Sequence, residues 1–421
     1  MITPFATAHP VSTDIDISSL AFWSKPFDVR EESFRRLRHE APVSWHEPFE
    51  VPGYDTHGEQ GFWALARAED ITAVSLDNET FVSRFGVSIA PSPLEIQQLA
   101  SFFLAMDPPQ HSIYRRLVGA SFTPKAIARL TDKIAERARD IVARVRGAGD
   151  IDFVEDVAAL LPMMTVCDLI GIPEEQQQAV RHAADAFVSD SDPVELPEGM
   201  TSVTYRLSQA FFLHQVGAEL AAHRRRHPSD DLMTDLVQGE VDGKRLTDEE
   251  IGAFMVLMSV AGNDTTKQTT TRTVMSLDAN PDQRDWLMED FDGRINGSIE
   301  EFVRHASPVM TFARTATRDT EIRGVPIAEG DKVGLLYCSG NRDETVFDDP
   351  ARFDLRRGRS PHVGFGGGGV HYCLGNGVAK TQLRAIFNEL LNNTDGIEVG
   401  EPDFLVGNFI NGVKHLPARV S

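Results

Sequence analysis

Four consecutive glycines leading to a lone cysteine, in the run Phe365-Gly-Gly-Gly-Gly-Val-His-Tyr-Cys373-Leu-Gly375, constrain this chain more than any other segment. Without side chains, a backbone can approach a neighbour closely or take positive φ. A helix is expected from about Leu374 to Leu391, which puts the cysteine at a loop-to-helix junction. Unpaired N–H groups and the helix dipole favour an anion there, so a thiolate of depressed pKa is expected. The other cysteines, Cys167 and Cys338, lie in apolar segments and read as small core residues. Three dispersed cysteines make neither a disulfide framework nor a Cys-rich zinc site, and they point to a reducing, cytoplasmic compartment. A single thiolate suits the axial position of a haem iron, whose in-plane ligands come from the porphyrin. The competing reading is a structural cysteine beside a turn.

A second feature lies between Ile251 and Leu277. The segment begins as an apolar helix (Ile251, Phe254, Met255, Leu257, Met258, Val260) and then presents Ala261-Gly262-Asn263-Asp264-Thr265-Thr266. Polar side chains partway along such a helix are costly to bury unless partnered. Gly262 leaves a gap, and a Thr hydroxyl can bond the carbonyl one turn earlier and bend the helix. A gap, a hydroxyl and a carboxylate together could hold dioxygen and relay protons. The alternative is a polar patch facing solvent.

The rest of the chain predicts a mainly α fold with minor β (α+β) in one domain spanning 1–421. Residues 1–30 read as an irregular lead-in, Glu31–Glu40 as a short helix, and Val43–His46 with Gly61–Arg67 as paired strands. Helix signals dominate from Gln110 to Met275: Thr123-Pro124 as a cap and first position, Ser229-Asp230-Asp231 as the start of another helix, and Thr247-Asp-Glu-Glu250 as a capping box. Short strands follow at Thr315–Ile322, Val325–Ile327 and Lys332–Tyr337. Small sheets therefore fall near both ends of the sequence. With 41 Lys+Arg against 63 Asp+Glu, the net charge of −22 argues against a sequence-independent nucleic-acid binder. Met1–Pro10 lacks the pattern of a signal peptide, and no apolar run is long enough for a membrane anchor.

The cysteine segment resembles the haem-binding signature of the cytochrome P450 monooxygenases, with two departures. Phe365 lies one residue further from Cys373 than in most members, and Gly377 and Lys380 stand where Ala and Arg are usual. The lengthened loop is similar to that of an actinobacterial subgroup acting on methyl-branched lipids and sterol side chains. The resemblance extends to Ala261–Thr265, to Glu301-Phe-Val-Arg304, and to Pro350-Ala-Arg352-Phe353. It implies one P450 domain with a long central helix over haem b, Cys373 as iron ligand, and Phe365 and Gly366 in the haem loop. Ala261 and Gly262 would lie over the distal face. Thr265 would stabilise oxygen bound at the iron, and Asp264 would feed protons toward it. Glu301, Arg304 and Arg352 would form a structural network bracing the loop, while His111, Arg115, Arg314 and His371 would contact the haem propionates.

O2 would be co-substrate, with electrons coming from NAD(P)H through a ferredoxin and its reductase, since the stretch after Cys373 leaves no room for a flavin or iron–sulfur domain. Arg116, Arg356, Arg357, Arg359, Lys380 and Arg384 would form a basic proximal face for an acidic ferredoxin. The resemblance places the substrate among Phe103, Phe212, Met258, Val260, Val309, Met310 and Phe409, with Phe187, Phe312 and Ile410 nearby. That apolar set favours a hydrophobic small molecule. Terminal (omega) hydroxylation of a methyl-branched or isoprenoid lipid is expected, with a sterol or sterone side chain as the alternative. A haem peroxygenase or a non-catalytic haem sensor are the readings from other classes. A monomer is expected.

Overall fold

The computed structural model describes residues 13–52, 55–56, 58–91, 102–188 and 196–421. Instead of an irregular lead-in up to residue 30, the described part of the N-terminus forms α1 (Leu20–Trp23) and the start of α2 (Phe27–Glu40). Ser19 caps α1 by accepting from the Phe22 amide, and Pro26 precedes α2. Phe22 and Trp23 both pack on Phe34 of α2, at 5.5 and 5.9 Å between rings. Burial of these aromatics outweighs the acidic character of the segment.

β1 (Val43–His46) pairs antiparallel with β2 (Phe62–Leu65), as expected, with Val43 opposite Leu65. After α3 (Ala68–Leu76) and β3 (Phe81–Val82), helices take over: α4 (Gln110–Gly119) and α5 (Pro124–Val145), then β4 (Asp150–Asp152). α6 (Leu160–Ile170), α7 (Glu174–Val188), α8 (Ser202–Arg226) and α9 (Leu232–Gln238) follow. The expected starts hold at Thr123 and Asp231, each of which accepts from the amide three residues on.

The central helix comes as two pieces, α10 (Asp248–Ala261) and α11 (Asp264–Ala279). The Thr247–Glu250 capping box starts the first. The interruption falls at Gly262, where a Cβ would stand 2.5 Å from a methyl of Val166 on α6. Contrary to a solvent-facing patch, Asn263, Asp264, Thr266 and Thr269–Thr271 are all buried. The threonines satisfy themselves along the helix, Thr269 donating to the Thr265 carbonyl at 2.8 Å and Thr270 to that of Thr266 at 2.9 Å.

α12 (Pro281–Glu289) and α13 (Phe291–Ala306) lead into β5 (Thr311–Ala316), β6 (Thr320–Ile322), β7 (Val325–Ile327) and β8 (Lys332–Leu336). The strand expected over Thr315–Ile322 is thus two strands, because the Thr317 amide leaves the ladder to bond the Thr80 carbonyl at 2.8 Å. β8 lies between β2, to which it is parallel, and β5, giving the sheet order β1-β2-β8-β5-β3. α14 (Tyr337–Gly340), α15 (Asn376–Asn392) and the strands β9 (Ile397–Val399), β10 (Asp403–Phe404), β11 (Val413–His415) and β12 (Pro417–Val420) complete the chain. Among the described residues, no helix is long and apolar enough to cross a membrane.

Candidate functional site

The glycine run packs onto the C-terminal turn of α3. Gly366 has φ of 98° and Gly369 has φ of 73°, and a Cβ on Gly369 would sit 2.3 Å from the Ser75 carbonyl oxygen. No other residue suits both demands. The Cys373 amide donates to the Phe365 carbonyl at 3.0 Å, closing the loop, and α15 begins three residues later. Burial pushes the Cys373 thiol up. The amides of Gly375 and Asn376 and the charges of Arg115 and Lys380 pull the other way without reversing it. The expected depression of this thiol is therefore corrected: the junction supplies stabilising dipoles, but desolvation of the sulfur is larger.

Four candidate anion partners converge beside the loop. Arg115 on α4 donates to the Tyr372 carbonyl at 2.5 Å. Arg314 on β5 is buried, and its guanidinium donates to the adjacent Ala313 carbonyl at 2.7 Å. The His111 and His371 rings lie 4.3 Å apart. Burial, joined by Arg115 and Arg314, brings His111 down to about 4; burial with Arg314 and His111 brings His371 to about 2. Both imidazoles are thus neutral, leaving the positive charge to the arginines. Among the described residues, both ring nitrogens of His111 are buried without a hydrogen-bond partner, while His371 faces the Met106 backbone and its Nε2 meets Ser83 Oγ at 3.1 Å. Two guanidiniums and the two unpartnered ring nitrogens of His111 fit the paired carboxylates of a haem.

On the central helix, Met258, Ala261, Gly262 and Thr265 make an accessible stripe at helical spacing, beside buried neighbours. Thr265 Oγ1 donates to the Ala261 carbonyl at 3.0 Å. Asp264 lies off this stripe, buried against Lys267 Nζ at 2.6 Å. The same ammonium meets Asp185 of α7 at 2.6 Å, and Asn263 Nδ2 donates to that oxygen at 3.1 Å. Burial raises Asp264, Lys267 opposes and Asp185 adds, so the carboxyl stands at about 6. Sequence reasoning missed Lys267, although its i+3 spacing from Asp264 was a usable signal; Asp185 left none.

The Glu301–Arg304 pair of α13 is fully buried. Arg304 grips both carboxylate oxygens at 2.6 and 2.7 Å and also donates to the carbonyls of Asn341, Pro350 and Arg352. Arg352 therefore enters through its backbone with its side chain exposed, and the second guanidinium beside Glu301 is that of Arg357, at 3.6 Å. Three of the cations expected on a basic face are paired with carboxylates. Lys380 bonds Glu300 at 2.7 Å and lies over the Phe365 ring, Arg384 bonds Asp292, and Arg116 bonds Asp242. Arg352, Arg356 and Arg359 remain as exposed cations.

Among the apolar candidates, Phe312 and Phe409 meet at 5.4 Å, and Val309 bridges Ile410. Met258 and Val260 are partly accessible, and Phe212 is exposed. Phe103 is buried against Phe102 and lies 5.9 Å from the His111 ring. Met310 is a correction: it is buried in the N-terminal core with Trp23, Phe34 and Leu336, and Arg30 Nη1 contacts its sulfur at 3.3 Å. Backbone alternation turns it away from its neighbour Val309.

Comparison with known proteins gives one answer. The cytochrome P450 family profile matches residues 56–395. A methyl-branched lipid omega-hydroxylase of Mycobacterium tuberculosis is 38% identical over 412 residues, covering 97% of this chain and 95% of the relative. A steroid C26-monooxygenase of the same species is 34% identical, covering 95% and 91%. A Mycobacterium marinum cytochrome P450, solved in complex with pseudoionone, superposes with a TM-score of 0.94 at 48% identity, over 98% of this chain and all of that one.

Proposed function

The chain belongs to the cytochrome P450 family, and on that premise we propose that this monooxygenase hydroxylates the terminal carbon of methyl-branched or isoprenoid lipids. One observation carries the substrate class: the Phe312–Phe409 ring pair stands where β5 meets the C-terminal loop, beside the backbone bridge of Val309 to Ile410, and we read these apolar residues as a ridge along the substrate. The similarity to lipid omega-hydroxylases over 97% of the chain supports the same reading, and the steroid C26-monooxygenases make a sterol or sterone side chain the second one. Spectral titration of the ferric protein against branched fatty acids, terpenoids and sterones tests it. A low- to high-spin shift is expected with the branched lipids at the lowest concentration, and a response to sterones alone would overturn the assignment.

Cys373 would hold the haem, which when bound would supply oxygen activation and the transfer of one oxygen atom to the substrate carbon. Arg115 and Arg314 would provide charge to the haem carboxylates, and His111 and His371 would provide hydrogen bonds. The apolar ridge orients the lipid and excludes water. Thr265 holds a hydroxyl on the accessible stripe of the central helix, and Asp264 holds the proton that this hydroxyl passes on. Replacing Thr265 by alanine should leave oxygen consumption running while product per oxygen falls roughly tenfold or more. Unchanged coupling would favour a peroxygenase.

The same reading makes the protein a cytoplasmic monomer, acting as one catalytic unit over 1–421 and reduced by an acidic ferredoxin at Arg352, Arg356 and Arg359. Reversing Arg356 and Arg359 to glutamate should slow ferredoxin-driven turnover by roughly an order of magnitude at low salt, with the gap closing as ionic strength rises. Stopped-flow reduction at two salt concentrations checks this, and a salt-independent rate in both proteins would move the docking face elsewhere.

A further inference from the structure

Asp185, Lys267 and Asp264 bring two carboxylates to one ammonium. Asp264 and Lys267 are nearly fully buried, with side-chain exposures of 2% and 9%, while Asp185 keeps 27%. Asp264 offers Oδ1 to the lysine; among the described residues its buried Oδ2 has no partner, nor has Oδ1 of Asn263. With both carboxylates ionised the cluster would carry one surplus negative charge, with Asp264 cut off from water and Asp185 only partly exposed, and a single proton removes it. Oδ2 of Asp264, unbonded and deepest, is where that proton fits.

The third member belongs to a different element. Asp185 sits near the end of α7, which packs on α8 and α10. Phe187 of the same turn packs against the apolar cluster that also takes Leu257 and Met258 of the central helix. Lys267 and Asn263 both bond Asp185, so these contacts tie α7 down over the segment that carries Thr265.

We propose that Lys267 is a positioning residue that couples the seating of α7 to the proton on Asp264. When α7 is seated, Asp185 takes a share of the ammonium and Asp264 keeps its proton on Oδ2. When α7 lifts to admit a substrate, Lys267 serves Asp264 alone and the carboxyl ionises. Proton supply at Thr265 is then available only with the pocket closed, which suppresses oxygen use in an open one. This inference rests on the proton-supplying part assigned above to Asp264.

The two partners act on Asp264 with opposite sign, and Lys267 and Asp185 are the charged groups that bear on it. An ammonium favours the ionised carboxyl, and a neighbouring carboxylate favours the protonated one. Infrared difference spectra of the ferric holoenzyme should carry a protonated-carboxyl band that titrates with pH and is missing in Asp264→Asn. In Lys267→Met the band should survive to a pH higher by about one unit or more, and in Asp185→Asn it should vanish at a pH lower by about the same amount. Lys267→Arg should restore the wild-type midpoint to within about half a unit, and it keeps the test alive if the methionine variant folds poorly. Amide exchange over residues 180–187 should speed up in both Lys267→Met and Asp185→Asn. Midpoints that move in the same direction, or not at all, would overturn the coupling, as would unchanged exchange. None of these readouts needs substrate, so they stand apart from the failure of Thr265→Ala to uncouple, which would instead remove the assigned proton route.

Discussion

Cys373→Ser should abolish monooxygenase turnover while leaving a folded protein, the larger of two effects that the site leads us to expect. Serine matches cysteine in shape, and the loop around it is held by features the substitution leaves alone. These are the positive-φ glycines against α3, the Cys373 amide to Phe365 carbonyl bond, and the Asn376 side chain donating to the residue-373 carbonyl at 2.7 Å. What changes is the donor atom. Burial already pushes the thiol upward, against the amides of Gly375 and Asn376 and the charges of Arg115 and Lys380. A serine hydroxyl is a far weaker acid than a thiol, so the same pocket leaves it protonated and unable to lend electron density to iron. The checks are haem content, the spectrum of the ferrous–carbonyl complex, and product formation with a reconstituted ferredoxin chain. Near-normal haem uptake with a displaced carbonyl band and background turnover is expected. Wild-type turnover would mean that position 373 is not the ligand, and the functional reading would fall with it.

The residues legible from sequence share a property: their partners lie within a turn or a loop of them. The glycine run announces Cys373, and the i, i+3 spacing of Glu301 and Arg304 announces their pair. The polar interruption of an apolar helix announces Thr265. Where a role depends on a distant segment or on backbone, composition is silent. The carbonyls of Asn341, Pro350 and Arg352 that receive Arg304 have no side-chain signature, which is why Arg352 was expected to contribute its guanidinium and Arg357 was overlooked for its place beside Glu301. Asp185 meets Lys267 only because α7 folds over the central helix. Three of the six cations expected to await a partner are claimed by Glu300, Asp292 and Asp242, none of them near in sequence. Met310 is different, since a signal existed: residues next to each other in extended chain face opposite ways, so Val309 and Met310 could not both line one pocket.

Arg304→Ala should cost the fold itself. The guanidinium is completely buried and makes five bonds, two to Glu301 and three to carbonyls from two further chain segments. Its removal strands a carboxylate at zero exposure, which keeps only the Asp354 amide at 2.9 Å and the longer contact to Arg357, together with several carbonyls. Breaking a buried pair in this way costs about 3–5 kcal/mol, against a total stability of roughly 5–15 kcal/mol for a typical domain. Most of the variant should therefore be recovered unfolded or aggregated, and any soluble fraction should show a sharply lowered denaturant midpoint. Lysine should rescue little, because a single ammonium cannot span a bidentate carboxylate and three carbonyls in one plane. Removing the charge from the other side separates electrostatics from bond geometry: in Glu301→Gln the shape survives, but the arginine's main counter-charge is gone. A Glu301→Gln, Arg304→Met double variant should then be less damaged than Arg304→Ala, because no buried charge is left unpaired on either side of the bond. Chemical denaturation of the four proteins measures this directly. Equal loss in the double variant and in Arg304→Ala would show that the three carbonyl bonds, and not the ion pair, hold α13 to the segment leading to the cysteine loop.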